Sequence, residues 1–392
     1  METIYFDNAA TTRTEPEVLE AMLPYFVEEY GNPSSLHEYG LHAKKAVSEA
    51  RMTIAELLGC KPNEIFFTSG GTEADNWAIK GTCLAREAGN AEEKSLGHIV
   101  TTAIEHHAVL HTCRFLEKRG YAVTYLPVDE LGRISLTELA NALRPDTFLI
   151  SVMYANNEVG TVQPVGEIAE LARQRGVAFH TDAVQAAGHF EEKLSTSGIT
   201  FLSASAHKFG GPKGVGFLYV REGTKLVPIL HGGAQEQQMR SGTENVPGIV
   251  GMAKALELTM KKRRERERKV AELRDYFAGR LLAEIPMSRR NGDPEECLSG
   301  NLNMSFAGVQ ASSLLVFLDM AGIHCSSGSA CTSASSGASH VLLAMGLSDQ
   351  WINGSVRMTL SEHNTKEQVD YAVEKMREFV AKLRDQNPAW KK

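Results

Sequence analysis

The segment Phe201-Leu202-Ser203-Ala204-Ser205-Ala206-His207-Lys208-Phe209-Gly210-Gly211-Pro212 begins as an apolar run and stops at a glycine-proline break. The apolar run is typical of a buried strand, and Lys208 follows its end. An isolated lysine is more often a solvated surface residue. A lysine held at a strand end beside Ser205 and His207 is instead well placed to form a Schiff base with a carbonyl group.

Asp182 ends the preceding apolar run, Val177–Asp182, and is the one acid in it. Because the carboxyl ends of parallel strands meet at one edge of a sheet, we expect Asp182 and Lys208 to lie close together. A carboxylate there would pair with a pyridinium nitrogen. The two residues together predict a pyridoxal 5'-phosphate site.

Short apolar segments alternate with helical patterns along the first half of the chain. This alternation predicts an α/β fold, a mostly parallel sheet between helices. Val215–Val220 follows Lys208 after only a glycine-rich turn and is predicted to return antiparallel. The predicted parallel strands are Glu64–Thr68, His98–Thr102, Phe148–Val152, Val177–Asp182 and Thr200–Ser203.

The second half of the chain predicts a smaller α+β domain. A long helical pattern over Met252–Ile285 leads into short strands at Asn301–Phe306 and Val356–Leu360. The last helix has an apolar stripe from Val369 to Leu383, which predicts one buried face. We therefore expect two domains, listed by residue number: a large cofactor-binding domain, 15–255, and a small domain, 1–14 with 256–392.

Charge and composition exclude several classes of protein. The 392 residues carry a net charge of -7, which argues against a nucleic-acid surface. The basic run Lys261–Arg268 is interleaved with glutamates, and this favours a solvated helix face. No apolar run is long enough to span a membrane, and Met1–Ile4 lacks the features of a signal peptide, so we expect a cytoplasmic protein. The six cysteines contain no Cys-x-x-Cys pair and are expected to be reduced thiols.

Several polar motifs follow the predicted strands. Thr68–Asp75 joins a strand to a helix, and its paired glycines would admit a phosphate, although an ordinary helix cap is as compatible with the motif. His106, in Glu105-His106-His107, would stack on a flat cofactor ring. A metal site at His107 and His111 is disfavoured, since no companion carboxylate motif exists. Amides in Asn156-Asn157-Glu158 and at Gln185 would reach the phenolic oxygen of the cofactor, or serve only as turn residues.

Two residues of the second half are candidates for substrate chemistry. Cys331 lies in Ser326-Ser327-Gly328-Ser329-Ala330-Cys331-Thr332-Ser333, whose small polar residues predict a loop rather than a core and so favour a reactive thiolate. Cys325 is better interpreted as a structural thiol. Arg357, within a short strand, would grip a substrate carboxylate through two parallel hydrogen bonds, or form a structural ion pair.

These motifs resemble those of the cysteine desulfurases of the NifS/IscS type, within the class V aminotransferase group of fold-type I pyridoxal phosphate enzymes. The resemblance runs along nearly the whole chain, and its motifs occur in the family's order. They are Phe6–Thr12, Gly31–Ser35, Thr68–Glu73, Glu105-His106, Asn156–Glu158, Thr181–Gln185, Ser205–Gly211, Met239–Thr243 and Ser326–Ser333.

The resemblance implies an aspartate-aminotransferase-like fold and a role for each site residue. Lys208 would hold pyridoxal phosphate, Asp182 its ring nitrogen, and His106 would stack on the ring. The remaining roles are implied in the same way: Asn157 and Gln185 near the ring oxygen, Gly71, Thr72, Ser205 and His207 on the phosphate, Thr243 on the phosphate of a second subunit, and Asn32 and Arg357 on the substrate carboxylate.

The implied reaction removes sulfur from L-cysteine, giving L-alanine and a persulfide on Cys331. The implied partners are a second copy of the chain and a sulfur acceptor, either an iron-sulfur scaffold or a thiolation enzyme. Two rival hypotheses stay open at this point: a class V enzyme of different chemistry, such as an aminotransferase or a selenocysteine lyase, and a non-catalytic sulfur-relay subunit. Aminotransfer needs no reactive cysteine, and a relay subunit that has lost turnover is disfavoured by the presence of the full set Lys208, Asp182, His106, Arg357 and Cys331.

Overall fold

A seven-stranded sheet forms the larger layer of the molecule. The computed structural model describes residues 3–89, 96–189, 193–261, 263–327, 338–388 and 390. The strands of the sheet are β2 (Ile65–Thr68), β3 (His98–Thr102), β4 (Ala122–Leu126), β5 (Thr147–Ser151), β6 (Ala178–Asp182), β7 (Phe201–Ser205) and β8 (Gly216–Val220). Within the described residues their order in the sheet is β2-β8-β7-β6-β5-β3-β4.

The predicted α/β architecture is confirmed. Strands β7, β6, β5, β3 and β4 run parallel, and β8 pairs antiparallel with both β7 and β2, as the short turn after Lys208 predicts. The sequence did not predict β4. This edge strand is only half-buried over most of its length, so it lacks the continuous apolar run of the central strands.

Helices cover the seven-stranded sheet. Large apolar side chains on these helices are buried, among them Ile54 and Trp77. The helices are α1 (Pro16–Met22), α2 (Pro24–Val27), α3 (Glu38–Leu58), α4 (Gly71–Gly89), α5 (His107–Glu117), α6 (Leu136–Ala142), α7 (Val165–Arg175), α8 (Leu194–Ser197), α9 (Val246–Lys261), α10 (Arg263–Glu284), α11 (Ala311–Met320), α12 (His340–Ala344), α13 (Asp349–Ile352) and α14 (Lys366–Gln386).

The long helical pattern predicted from Met252 is present but begins earlier. It occupies α9 and α10, which start at Val246 and end at Glu284, and residue 262 lies outside the described residues. None of the helices in the described part of the chain is both long and apolar enough to cross a lipid bilayer.

A second, smaller core lies around two short sheets. In one, β10 (Asn301–Phe306) pairs antiparallel with β9 (Ser288–Asn291) and β12 (Ser355–Thr359); in the other, β1 (Ile4–Tyr5) pairs parallel with β11 (Ile323–His324). The start of the chain therefore packs against its last third. Helix α14 is capped by Thr365, whose side chain accepts from the Gln368 N–H. Its predicted stripe is buried at Val369, Ala372, Val373, Met376 and Val380, with Leu383 partly buried.

Phe277 is a point at which this smaller core can be tested. Its ring is fully buried and lies 5.4 Å from the ring of Phe6, centroid to centroid, so it connects α10 with the start of the chain. We expect Phe277→Ala to lower the free energy of unfolding by about 3–5 kcal/mol, because it leaves a cavity that the neighbours fill only in part. Denaturant unfolding would measure this. Val316→Ala, at a side chain 59% exposed on α11, is the control and should change stability little.

Candidate active site

The candidate residues lie at the carboxyl ends of adjacent parallel strands. Asp182 is the last residue of β6, and Lys208 ends a short 3-10 turn, Ala206–Lys208, directly after β7. His106 follows β3 and caps the start of α5, where its Nδ1 accepts from the Ala108 N–H at 3.2 Å. The sheet thus brings together the lysine, the acid and the imidazole.

The ammonium group of Lys208 contacts the backbone near the start of the chain. Its Nζ donates to the carbonyl oxygens of Ala9 at 2.5 Å and Ala10 at 3.0 Å. The Gln185 side chain donates to the same Ala9 carbonyl at 3.0 Å. The Asp-Asn-Ala-Ala motif at residues 7–10 therefore positions Lys208 and Gln185 against each other.

Asp182 is a buried carboxylate beside a second one. Its Oδ1 accepts from the Val184 N–H at 2.9 Å. Ligand atoms of Asp75, His106 and Asp182 all lie within 4.8 Å of one another. Burial and the neighbouring Asp75 raise the pKa of Asp182 to about 6, while His106 opposes the rise. In the described part of the chain no lysine or arginine is within ion-pair distance of Asp182, so a bound cation would interact favourably with it.

The junction of β2 and α4 packs closely against the ends of β6 and β7. A Cβ on Gly71 would come within 2.3 Å of Val184 Cγ2, so a larger residue here would force Val184 to shift. Gly70 has a φ of +151° and lies against the Ser205 hydroxyl. The first N–H groups of α4, including that of the exposed Thr72, have no partner inside the helix and favour an anion. His207 Nδ1 lies 3.1 Å from Thr11 Oγ1, and burial and Lys208 lower its pKa to about 4.

Arg357 is buried, and both of its terminal nitrogens donate hydrogen bonds. Its Nη1 donates to the Asn157 carbonyl at 2.8 Å, and its Nη2 donates to Asp7 Oδ1 and Ser326 Oγ, each at 2.9 Å. Its Nε is buried without a hydrogen-bond partner among the described residues. The ion pair predicted as an alternative is therefore present, and the buried Nε–H has no partner within the described ranges.

Three predicted residues are not joined to this cluster. Asn32 is exposed and its side chain accepts from the Ser34 N–H at 2.9 Å. Thr243 is exposed in the segment before α9. Neither has a hydrogen bond to Lys208, Asp182 or His106 within the described ranges. Cys331 lies outside the described residues.

Comparison with known proteins decides the family. Residues 4–372 match the model of the aminotransferase class-V family. The chain belongs to the class-V aminotransferases. A cysteine desulfurase IscS of Methanosarcina thermophila is 51% identical over 386 residues, covering 98% of this chain and 94% of the relative. A putative cysteine desulfurase IscS 1 of Bacillus subtilis is 50% identical over 385 residues, covering 98% of this chain and all of the relative.

Solved structures give the same result. A NifS-like protein superposes with a TM-score of 0.89 at 40% identity, over 97% of this chain and 100% of its own. A structure described as SspA in complex with cysteine superposes with a TM-score of 0.81 at 38% identity, over 93% of this chain and 100% of its own. The predicted fold and family are confirmed.

Class-V aminotransferases and cysteine desulfurases use pyridoxal phosphate, and the residues of this chain fit that group. Asp182 offers a buried carboxylate that no described lysine or arginine neutralises, which suits a protonated ring nitrogen. The first N–H groups of α4, at Gly71 and Thr72, have no partner inside the helix, which suits a phosphate.

Sequence reasoning missed several residues of this site. Asp7, quoted only as part of a motif, pairs with Arg357, and the Ala9 carbonyl holds Lys208. Asp75, quoted only as the last residue of the Thr68–Asp75 motif, lies beside Asp182. A signal for Asp75 existed, since an acid stands among Ala74, Trp77 and Ala78, all buried on α4. An acid on a buried helix face generally has a specific partner.

Proposed function

We propose that this chain is a pyridoxal-phosphate-dependent cysteine desulfurase, which takes sulfur from L-cysteine and releases L-alanine. The placement of Lys208 and Asp182 at adjacent strand ends is the observation that supports it most. Relatives named as cysteine desulfurases at about half identity over nearly the whole chain support it further, as does the solved relative described with cysteine.

We assign the cofactor contacts as the resemblance implies. Lys208 would bind the cofactor covalently, Asp182 would accept from the ring N–H, and His106 would stack on the ring. The other contacts follow: Asn157 and Gln185 near the ring oxygen, and Gly71, Thr72, Ser205 and His207 on the phosphate. When bound, the cofactor supplies an electron sink that stabilises negative charge at the substrate Cα.

The residues of the chain would then act in a fixed order. Arg357 and Asn32 orient the substrate by its carboxylate. The Lys208 amine takes the proton from Cα and returns one during alanine formation. The Cys331 thiolate attacks the substrate sulfur, so that the substrate C–S bond breaks as a new S–S bond forms. The products are L-alanine and a persulfide on Cys331, which an acceptor protein takes up.

The proposed assembly is a homodimer in which the partner subunit's Thr243 completes the phosphate site. Exposed large apolar side chains between α1 and the start of α3 support a protein interface, among them Phe26, Val27 and Leu36, exposed by 56%, 73% and 92%. We retain the division into residues 15–255 and residues 1–14 with 256–392, the smaller part carrying Cys331. The acceptor would be an iron-sulfur scaffold or a thiolation enzyme.

A cytoplasmic location is part of this proposal. The chemistry needs Cys331 as a thiol, and a reducing compartment keeps it so. The five cysteines within the described residues are all free thiols.

The decisive assay incubates the purified protein with L-cysteine, pyridoxal phosphate and a thiol reductant. A desulfurase gives alanine and sulfide in equal amounts over many turnovers. An aminotransferase would consume an added oxo acid and give no sulfide, and a non-catalytic relay protein would give neither product. Either result would overturn the proposal.

Arg357→Lys tests the carboxylate contact. A lysine keeps the charge but loses the fork of parallel donors. We expect KM for L-cysteine to rise about ten- to a hundredfold, the equivalent of roughly 1.5–3 kcal/mol for a hydrogen bond to a charged group. Steady-state kinetics would measure it.

Arg384→Lys is the matched control for this prediction. Arg384 is equally a buried arginine, but it donates to the carbonyls of Ala307 and Met287, far from Lys208 in sequence and fold. Its replacement should affect stability and leave KM unchanged. An unchanged KM in Arg357→Lys would contradict the assigned contact.

A further inference from the structure

Asp75 is a buried carboxylate that the proposed mechanism does not use. It lies in the second turn of α4, with 1% of its surface exposed. Its Oδ1 has no hydrogen-bond partner among the described residues. The nearest ionisable nitrogen is His180 Nε2, at 3.5 Å. An ionised carboxylate that is buried in this way destabilises the folded protein unless a nearby group compensates its charge.

His180 does not supply that charge. It lies on β6 two residues before Asp182, so both side chains point to the same face of the sheet. Its Nδ1 lies 2.8 Å from Ser151 Oγ and its Nε2 lies 3.0 Å from Ser203 Oγ. Burial lowers the pKa of His180 to about 4, so the ring is neutral at pH 7. Two serine hydroxyls satisfy it in this form.

The other groups that face Asp75 are Asp182, His106 and Glu105. Glu105 Oε1 accepts from Thr102 Oγ1 at 2.7 Å and from the Met153 N–H at 3.0 Å. Burial raises the pKa of Glu105 to about 8, so it is mostly protonated at pH 7. The two acids that ionise near neutrality are thus Asp75 and Asp182, whose side chains are neighbours.

Neither aspartate has a lysine or arginine partner in the ranges the structure describes. Burial raises the pKa of Asp75 to about 6, although a hydrogen bond from Ser203 opposes the rise. Two adjacent carboxylates without a fixed cation create a strongly negative electrostatic potential at the end of β6. A cation placed against Asp182 would be attracted by both.

We propose that Asp75 is a positioning residue that acts through Asp182, its charge helping to keep the ring nitrogen of bound pyridoxal phosphate protonated. This inference rests on the proposed function. Asp75 is assigned no contact with the cofactor or the substrate, and its effect on the ring passes through the neighbouring Asp182. Its negative charge raises the proton affinity of the ring nitrogen, and its effect is largest when Asp182 is ionised.

The test is Asp75→Asn, which removes the charge and keeps the shape. The dissociation constant of pyridoxal phosphate is measured by titrating the cofactor-free full-length chain and following absorbance. We expect it to rise about tenfold, equal to the loss of one pKa unit of stabilisation for the bound cation. We also expect the pH midpoint of the absorbance change of the bound cofactor to shift.

A second measurement distinguishes a positioning role of Asp75 from a purely structural role. In the cofactor-free wild type, both aspartates have a folded-state pKa above the unfolded value, so stability falls as pH rises from about 4 through about 6. Asp75→Asn removes the contribution of Asp75 to this fall in stability. The cofactor-free variant should therefore unfold at a higher temperature than the wild type at pH 8, while it binds the cofactor more weakly.

Thr82→Val is the matched control. Thr82 is a buried polar residue on the same helix, and its hydroxyl donates to the Ala78 carbonyl at 2.6 Å. Its replacement should not change cofactor affinity. Asp75→Ser provides a second variant with the charge removed and the same expected loss of affinity.

Each outcome decides the inference. A parallel loss of stability and affinity in Asp75→Asn would show a merely structural residue, and unchanged affinity would show no action on the ring. Failure of both Asp75 variants to fold, while Thr82→Val folds, would also overturn it. If the wild type itself binds no pyridoxal phosphate, the proposed function fails first.

Discussion

Lys208→Ala is expected to abolish alanine formation from L-cysteine, with kcat/KM reduced by at least about a thousandfold. The lysine has two roles in the proposed reaction, covalent attachment of the cofactor and movement of the proton at Cα. Positioned acid-base catalysis alone contributes roughly 10²–10⁴ in rate. No other lysine follows β7 so closely, and the short turn Ala206–Lys208 fixes Nζ beside the Ala9 carbonyl.

The measurement has two parts. Alanine and sulfide are quantified over many turnovers, and borohydride-treated protein is digested and weighed for a pyridoxyl adduct at Lys208. Lys213→Ala is the control, because Lys213 is exposed five residues further along the same loop. It should keep both activity and adduct. Wild-type protein without an adduct at Lys208, even after reconstitution, would refute the assignment.

The strands that position this site were predictable because they are buried on both faces. His98–Thr102 was predicted with its observed bounds, and the strand before Asp182 within one residue. Such strands are continuous apolar runs bounded by glycine, proline or polar residues. Edge strand β4 is half-buried at its first four residues, and short strands such as β1 carry too few residues for a pattern.

The motif positions of the site were also predictable, but the pairing between them was not. Lys208, Asp182 and His106 each follow a strand, so parallel topology brings them together. The pairs Arg357–Asp7 and Lys208–Ala9 join residues about 350 and 200 positions apart. They depend on β1 pairing with β11, a contact that no local periodicity encodes.

The proximity of Asp75 and Asp182 likewise could not be predicted from local sequence. Each acid is visible in the sequence, one on a helix and one at a strand end. Their proximity arises from the packing of α4 against β6 and β7, which Gly71 permits. Local sequence predicts the elements, while the charge of the site depends on how those elements pack.

Cys331→Ser is expected to reduce alanine and sulfide formation from L-cysteine to background. Serine keeps the size of the side chain, but its hydroxyl cannot accept a sulfur atom as a persulfide, so the C–S bond of the substrate has no sulfur nucleophile to break it. Binding of pyridoxal phosphate and of L-cysteine should persist, since neither depends on this thiol. Absorbance changes on adding L-cysteine would report binding, and mass spectrometry of the wild type would report a gain of one sulfur at Cys331.

Cys325→Ser provides the comparison that makes this result specific. Cys325 is the cysteine next before Cys331 in the sequence, and burial and the nearby Asp7 raise its pKa to about 12. At pH 7–8 it is therefore a thiol rather than a thiolate, and a thiol is a poor nucleophile. We expect this variant to keep most of its activity. Loss of turnover in Cys325→Ser together with retained turnover in Cys331→Ser would assign the sulfur acceptor to the wrong cysteine, whereas retained turnover in both would favour a reaction of the aminotransferase type, which needs no reactive cysteine.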